Sequence, residues 1–304
     1  MNEPPALSVV IATFNNVDVL GRCLESWERL APDAPVELIV IEDGCRDRTA
    51  EYLEERATRT PWARAHLRWI HENNVHELRA TNRGFREARA PLMMSWQDDM
   101  FLRADWLVSE LLMSFDRYPE LGLLCLSRGL LCHPSDEPIR TWAELVDFRR
   151  LQSTIGPGPL NWFRLQEVDA VIRPWIVRRA CLERVGPLDE AFVPTGWDEA
   201  DLAFRIRQAG WRVATHGYER DGAFVHLGSS TLTKFALNLD QDLRNGLLFH
   251  ERWDETIRRE RDRLRRTWRR RPPAAGWIST ARQAWNFLLP WRRNAILAGD
   301  GWRT

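Results

Sequence analysis

Carboxylate and amide side chains cluster in this chain where apolar runs give way to turns. Thr13 and Asn15 stand at the end of the run Leu7-Ser-Val-Val-Ile-Ala-Thr-Phe14, Glu42 and Asp43 follow Val36-Glu-Leu-Ile-Val-Ile41, and Gln97, Asp98 and Asp99 follow Leu92-Met-Met-Ser-Trp96. A fourth cluster, Trp197-Asp198-Glu199-Ala200-Asp201, lies a hundred residues on, and His226 ends a late apolar stretch. Hard oxygen ligands of this kind suit a divalent cation, and a carboxylate can take a proton from an attacking hydroxyl. Asp98 and Asp99 are adjacent, and two neighbouring carboxylates repel unless a cation sits between or beside them. Asp and Asn at strand ends also serve as turn and cap residues, the role expected of Asn16 and Asp47.

The elements that must position these groups read as alternating strands and helices. The runs at 7–14 and 36–41 are mostly apolar and rich in β-branched residues, as strands buried on both faces are. Further strands are expected at Ala65–Ile70, Leu92–Trp96 and Leu121–Leu126. Helices are expected through Leu20, Cys23, Leu24 and Trp27 behind an Asn15/Asn16 cap, at Arg48–Thr58, at Leu78–Arg89 and at Ala104–Arg117. Asp169–Val177 reads as an edge strand broken by Pro174, and Arg179–Val185 as a helix stopped by Gly186-Pro187. The acidic cluster opens a helix ending at Gln208, and Trp211–Ala214 and Ala223–His226 read as the last strands. Strand–helix alternation of this size implies a mostly parallel α/β sheet, and such sheets collect ligands at the carboxyl ends of their strands. Residues 133–165 are rich in Pro, Gly and Ser and read as a long loop region.

Composition narrows the function classes. The 304 residues carry 43 basic and 43 acidic side chains, so no net field gathers a polyanion, and nucleic acid is not an expected partner. The five cysteines show neither CxxC pairing nor regular spacing, which suits reduced thiols in a cytoplasmic protein. No signal peptide or membrane-spanning run is apparent. The 16 Trp residues suit sugar stacking, interfaces or membrane-surface belts alike.

The stretches SVVIATFNN (8–16), VIEDGCRDRTAEYL (40–53), Asn82-Arg83-Gly84, SWQDDM (95–100), VGPLDEAF (185–192), GWDEADLAFRIRQAGWRV (196–213), VHLGSS (225–230) and NGLLFHERW (245–253) together resemble the family 2 glycosyltransferases, which have the GT-A fold. The resemblance implies a GT-A domain over 1–255, with a donor half to about residue 100 and an acceptor half beyond it. It implies that Thr13, Asn15, Glu42, Asp43, Asn82, Gln97 and Asp98 hold the nucleotide-sugar, and that Asp99 ligates Mg²⁺ or Mn²⁺. His226 falls on a further metal or diphosphate contact, with a satisfied strand histidine as the alternative. Asp198-Glu199 occupies the position of the catalytic base, the choice between the two remaining open, and Trp197 and Asp201 fall on the acceptor side. Gln97 replaces the usual first Asp of the DxD motif, and an amide can still bond a hydroxyl.

These assignments imply an inverting, metal-dependent transfer of sugar from a nucleotide-sugar donor to a glycan or lipid-linked glycan acceptor, in surface polysaccharide or glycoconjugate synthesis. The alternatives are a non-catalytic nucleotide- or glycan-binding domain and a nucleotidyltransferase. Residues 256–304 form a basic, Trp-rich, helical extension. It suits the anionic inner face of the cell membrane, packing on the catalytic domain, or a homodimer.

Overall fold

The computed structural model describes residues 4–127, 129–132, 152–155, 165–219, 221–227 and 239–268. The strands are β1 Leu7–Thr13, β2 Val36–Asp43, β3 Leu67–Glu72, β4 Leu92–Gln97, β5 Met100–Leu102, β6 Leu121–Cys125, β7 Gly129–Cys132, β8 Gln152–Ile155, β9 Gln166–Glu167, β10 Trp175–Arg178, β11 Arg212–Thr215 and β12 Phe224–His226. The helices are α1 Val17–Leu30, α2 Thr49–Arg59, α3 Pro61–His66, α4 Glu77–Glu87, α5 Leu107–Arg117, α6 Arg179–Val185, α7 Asp198–Gln208 and α8 Leu239–Trp268.

The main sheet has eight strands in the order β3-β2-β1-β4-β10-β6-β11-β9. Parallel pairing joins β3, β2, β1 and β4, and β6 with β11. β10 runs antiparallel to both its neighbours, so β6 and β11 point the same way as the first four strands. Six carboxyl ends therefore share one edge, and β10 brings its amino end to that same edge.

Alternation along the strands divides the core. Val9 and Ile11 of β1, Leu38 and Val40 of β2, and Met94 and Trp96 of β4 pack on one face with Trp27 of α1 and Leu107, Leu111 and Phe115 of α5. Val10, Ile39, Ile41 and Met93 face the other way, against Phe85 of α4, Phe204 of α7 and Phe249 of α8. α4 lies so close to β1 that a Cβ on Gly84 would stand 2.2 Å from Val10 Cγ1, so no side chain fits there. Part of the Trp excess is core: Trp27, Trp96 and Trp175 are fully buried, and Trp27 meets Trp96 edge-on at 5.2 Å.

Several expectations are corrected. The segment expected as an edge strand, β10, is central. Pro174 stands before its first ladder residue, so its missing N–H interrupts nothing, and its carbonyl accepts from Leu126 at 2.9 Å. The side chain of Asn16 does not cap α1; instead Asp47 accepts from Val17 N–H at 3.2 Å and from Thr49 N–H at 3.1 Å. β12 joins no part of the main sheet. It pairs antiparallel with β5, His226 opposite Met100, and β5 is three residues long, too short to show a periodicity.

α8 runs without a break across positions 255 and 256, with Trp253, Thr256 and Ile257 buried. Positions 269–304, including the Trp-rich stretch 277–293, lie outside the described residues, as do most of 133–165 and positions 228–230. Among the described residues no helix is long and apolar enough to cross a membrane.

Candidate active site

The edge holding the six carboxyl ends carries the acids in sequence order. At the end of β1, Thr13 donates its hydroxyl to Asp98 Oδ2 at 2.7 Å. Asn15, in the left-handed region at φ 51°, accepts from the backbone N–H groups of Arg46 at 2.6 Å and Asp47 at 3.3 Å. Glu42 is buried and bonds Cys45 N–H and the exposed ring of His71. Asp43 accepts from Val75 N–H at 2.6 Å and His76 N–H at 2.9 Å. Burial pushes the Asp43 carboxyl above its ordinary range, against those two bonds. Asn15 and Asp43 therefore shape the loops around the expected base and ribose site, while Glu42 and His71 sit between those loops.

Asp98 and Asp99 follow β4 and are both buried. Burial and then the neighbouring Asp99 charge push Asp98 up to about 7, although Thr13 and Asn16 bond it. The β5–β12 pairing carries His226 to Asp99, Nε2 standing 3.2 Å from Asp99 Oδ1. Burial pulls the pKa of His226 down, but the charge and contact of Asp99 outweigh it and hold it above the ordinary value. That Nε2 is buried without a well-formed hydrogen bond. A buried imidazole nitrogen beside a carboxylate is a donor set that fits Mg²⁺ or Mn²⁺. Among the described residues no group of three or more His, Cys, Asp and Glu side chains makes a closed metal site, so further ligands would come from a bound donor and water.

The second acid cluster opens α7 behind Trp197, which adopts φ 68° and packs on Phe249 at 5.2 Å and His250 at 5.6 Å. A left-handed Trp is a strained conformation of the kind found near functional sites. Asp198 Oδ1 accepts from Gly196 N–H at 2.8 Å, and its side chain is 1% exposed. The Glu199 side chain is 16% exposed, with Oε1 2.9 Å from Arg173 Nε and 3.2 Å from Trp175 Nε1. Arg173 also reaches Asp198 Oδ2 at 3.4 Å, Glu77 Oε1 at 2.5 Å and Ser95 Oγ at 3.1 Å. Burial raises Glu199 to about 7, with Arg173 opposing and Asp198 reinforcing the rise. Asp198 is raised too, again by burial first and against Arg173.

The two clusters lie close to one another. Pairing of Trp175 with Ser95 sets Arg173 beside the end of β4, where Gln97-Asp98-Asp99 begins. Glu77, in the first turn of α4, acts electrostatically on Asp98 as well as on Asp198 and Glu199. Gln97 is partly exposed at the same strand end.

Two expected residues turn away. Asn82 is buried, donating to Leu188 O at 2.8 Å and accepting from Leu188 N–H at 3.0 Å, so its amide clasps α4 to the 186–188 turn. Asp201 is 0% exposed and is held by Arg205 at 2.7 Å, Trp253 Nε1 at 3.0 Å and Arg252 at 3.3 Å. Its carboxylate locks α7 to α8. Sequence reasoning missed Arg173 and Glu77. One signal was present: adjacent acids at 198 and 199 need a cation as much as those at 98 and 99 do.

Comparison with known proteins identifies a family domain and a fold. Residues 8–155 match the family model described as Glycosyl transferase family 2. Validoxylamine A glucosyltransferases from Streptomyces hygroscopicus subsp. limoneus and subsp. jinggangensis (strain 5008) are 24% and 23% identical, each match covering 79% of this chain. They are covered over 56% and 61% of their own length, so the chain spans little more than half of the curated relatives it matches. The mannosyltransferase PcManGT from Pyrobaculum calidifontis, in complex with GDP-Man and Mn²⁺, matches at TM-score 0.52 and 16% identity over 98% of this chain and 85% of that one. GalNAc-T7 with UDP, GalNAc and Mn²⁺ matches at TM-score 0.55 and 14% identity over 71% and 43%. At these identities the two structures establish the shared fold alone. Residues 8–155 thus carry the match to family 2 glycosyltransferases, within a chain whose fold is GT-A.

Proposed function

We propose that this protein transfers a sugar, with inversion, from a nucleoside-diphosphate sugar to a hydroxyl of a glycan or lipid-linked glycan. The observation that carries the reading is the closeness of the two acid clusters, Asp98 and Asp99 on one side and Glu199 on the other, with Glu77 acting electrostatically on both. Thr13, Asn15, Glu42, Asp43, Gln97 and Asp98 hold the nucleotide and its sugar, with Asn82 acting through the 186–188 turn. Asp99 and His226 would hold Mg²⁺ or Mn²⁺, and the cation supplies charge neutralisation for the departing diphosphate. Mn²⁺ accompanies the nucleotide in both structural relatives, which supports a divalent ion here.

Between the two adjacent acids, Glu199 is the base. Asp198 is more deeply buried and spends an oxygen on Gly196 N–H. Glu199 takes the acceptor hydroxyl's proton as that oxygen bonds to the anomeric carbon, and the bond to the diphosphate breaks with its electron pair leaving on phosphate. One displacement inverts the anomeric centre. Trp197 gives the acceptor an aromatic wall. The reading places α8 and the basic chain beyond it near an anionic membrane surface, where a lipid-linked acceptor resides.

The test is a thermal-shift screen of UDP, dTDP, GDP and CMP compounds with and without Mn²⁺, followed by nucleoside-diphosphate release from the matching donor. A metal-dependent shift that Asp99→Ala abolishes is expected, together with turnover lost on Glu199→Gln and donor binding kept. Absence of any nucleotide-induced shift in the metal-loaded protein would overturn the proposal.

A further inference from the structure

Among the described residues, Arg173 is the one guanidinium placed among three carboxylates from two helices. Its side chain is 8% exposed. Nη1 meets Glu77 of α4, Nη2 meets Asp198 of α7, and Nε meets Glu199 of α7 and Ser95 of β4. Three negative charges around one positive charge leave the group two charges in excess, in a place with little water to screen them. The three carboxylates meet different nitrogens of the same guanidinium, and the Glu77 charge opposes the effect of Arg173 on Glu199.

We propose that Arg173 is a positioning residue that fixes the Glu199 carboxylate as the base, and that Glu77, meeting the same guanidinium, tunes its charge. The inference rests on the transferase reading for its meaning, though not for its measurement. The groups facing Glu199 come from every element around it: Arg173 and the Trp175 indole ahead of and within β10, Asp198 beside it on α7, and Glu77 on α4. Of these only Arg173 is cationic. Burial of Glu199 acts against its ionisation, and Arg173 is the largest opposing influence.

The geometry requires effects of opposite sign. Loss of the guanidinium makes Glu199 harder to ionise, whereas loss of the Glu77 charge makes it easier. A packing role for Arg173 has no reason to give this reciprocity. Glu77 also acts on Asp98, so its charge reports to both clusters. The acceptor side thereby senses the charge state of the donor side without any backbone movement.

The experiment is a pH titration of the protonated-carboxyl infrared band, with Glu199 isolated by subtracting the matching Glu199→Gln spectrum. Arg173→Met is expected to raise the Glu199 midpoint by about one to three pH units, and Glu77→Gln to lower it. Arg173→Lys keeps the charge while losing the fork, so it guards against a Met variant that fails to fold; its midpoint should rise by less than that of Arg173→Met. Activity adds a second reading: the acidic limb of kcat/KM for nucleoside-diphosphate release should follow the midpoints while donor KM holds. An unmoved midpoint in Arg173→Lys and Glu77→Gln, or movement of both in the same direction, would overturn the inference. If the wild type releases no nucleoside diphosphate from any donor, the transferase reading fails instead, and the infrared midpoints still decide the role of Arg173.

Discussion

Replacing Asp201 separates the role the structure gives it from the acceptor-binding role that its position in the sequence suggests. Its carboxylate is wholly buried and accepts from Arg205 Nε at 2.7 Å, Trp253 Nε1 at 3.0 Å and Arg252 Nη1 at 3.3 Å. In Asp201→Ala both arginines lose a counter-ion and the buried indole N–H loses its acceptor. Breaking a buried pair by removing one partner costs about 3–5 kcal/mol. At roughly 2–4 °C per kcal/mol for a domain of this size class, the melting temperature falls by some ~6–20 °C. Asp201→Asn keeps the shape and one acceptor oxygen, so its loss should be smaller, about 1.5–3 kcal/mol. Calorimetry on both variants, with acceptor KM measured at a temperature where each remains folded, checks the reasoning. A full loss of acceptor binding with an unchanged melting temperature would refute it.

Three further outcomes are expected. His226→Ala should weaken Mn²⁺-dependent binding of a nucleoside diphosphate by tenfold or more, read by isothermal titration calorimetry with and without Mn²⁺ at a temperature where the variant remains folded. Gly84→Ala should destabilise by about 1–3 kcal/mol through overpacking on Val10, and Val10→Ala in the same chain should recover part of that loss in urea unfolding. Glu37 is bonded by Ser8, Arg68 and Arg89; burial raises its pKa, but those bonds outweigh burial and hold it below the usual 4.5. Its stabilisation is therefore present above 4.5 and lost as the pH falls through the lower folded value, so Glu37→Gln should cost most at neutral pH and least in acid, measured as the unfolding midpoint across pH.

The legible part of the fold is the part that depends on local pattern. β1, β2 and β4 are runs buried on both faces, and their ends carry the acids because parallel strands place the carboxyl ends together. β10 was read as an edge because a proline inside a strand segment argues for one. Only the register shows Pro174 outside the ladder. β5 has three residues, and its pairing with β12 depends on chain folded much later. Arg173 and Glu77 lie 96 positions apart, and no spacing rule connects them. Asp198, Glu199 and Asp201 read alike as acids of a helix's first turn. The docking of α8 distinguishes them, burying Asp201 against Trp253 and leaving Glu199 beside Arg173.

The short β5–β12 ladder divides labour along the chain in time as well as in space. Asp99 is made early in synthesis, but its partner His226 emerges 127 residues later, and the base and its guanidinium also come late. Closing so long a loop precedes the contacts that reward it. A nascent chain that has just completed the stretch 8–155 thus holds the donor-side acids with neither the imidazole nor Glu199. On the transferase reading, the set of groups proposed for catalysis is complete only when the last third of the fold has joined the first.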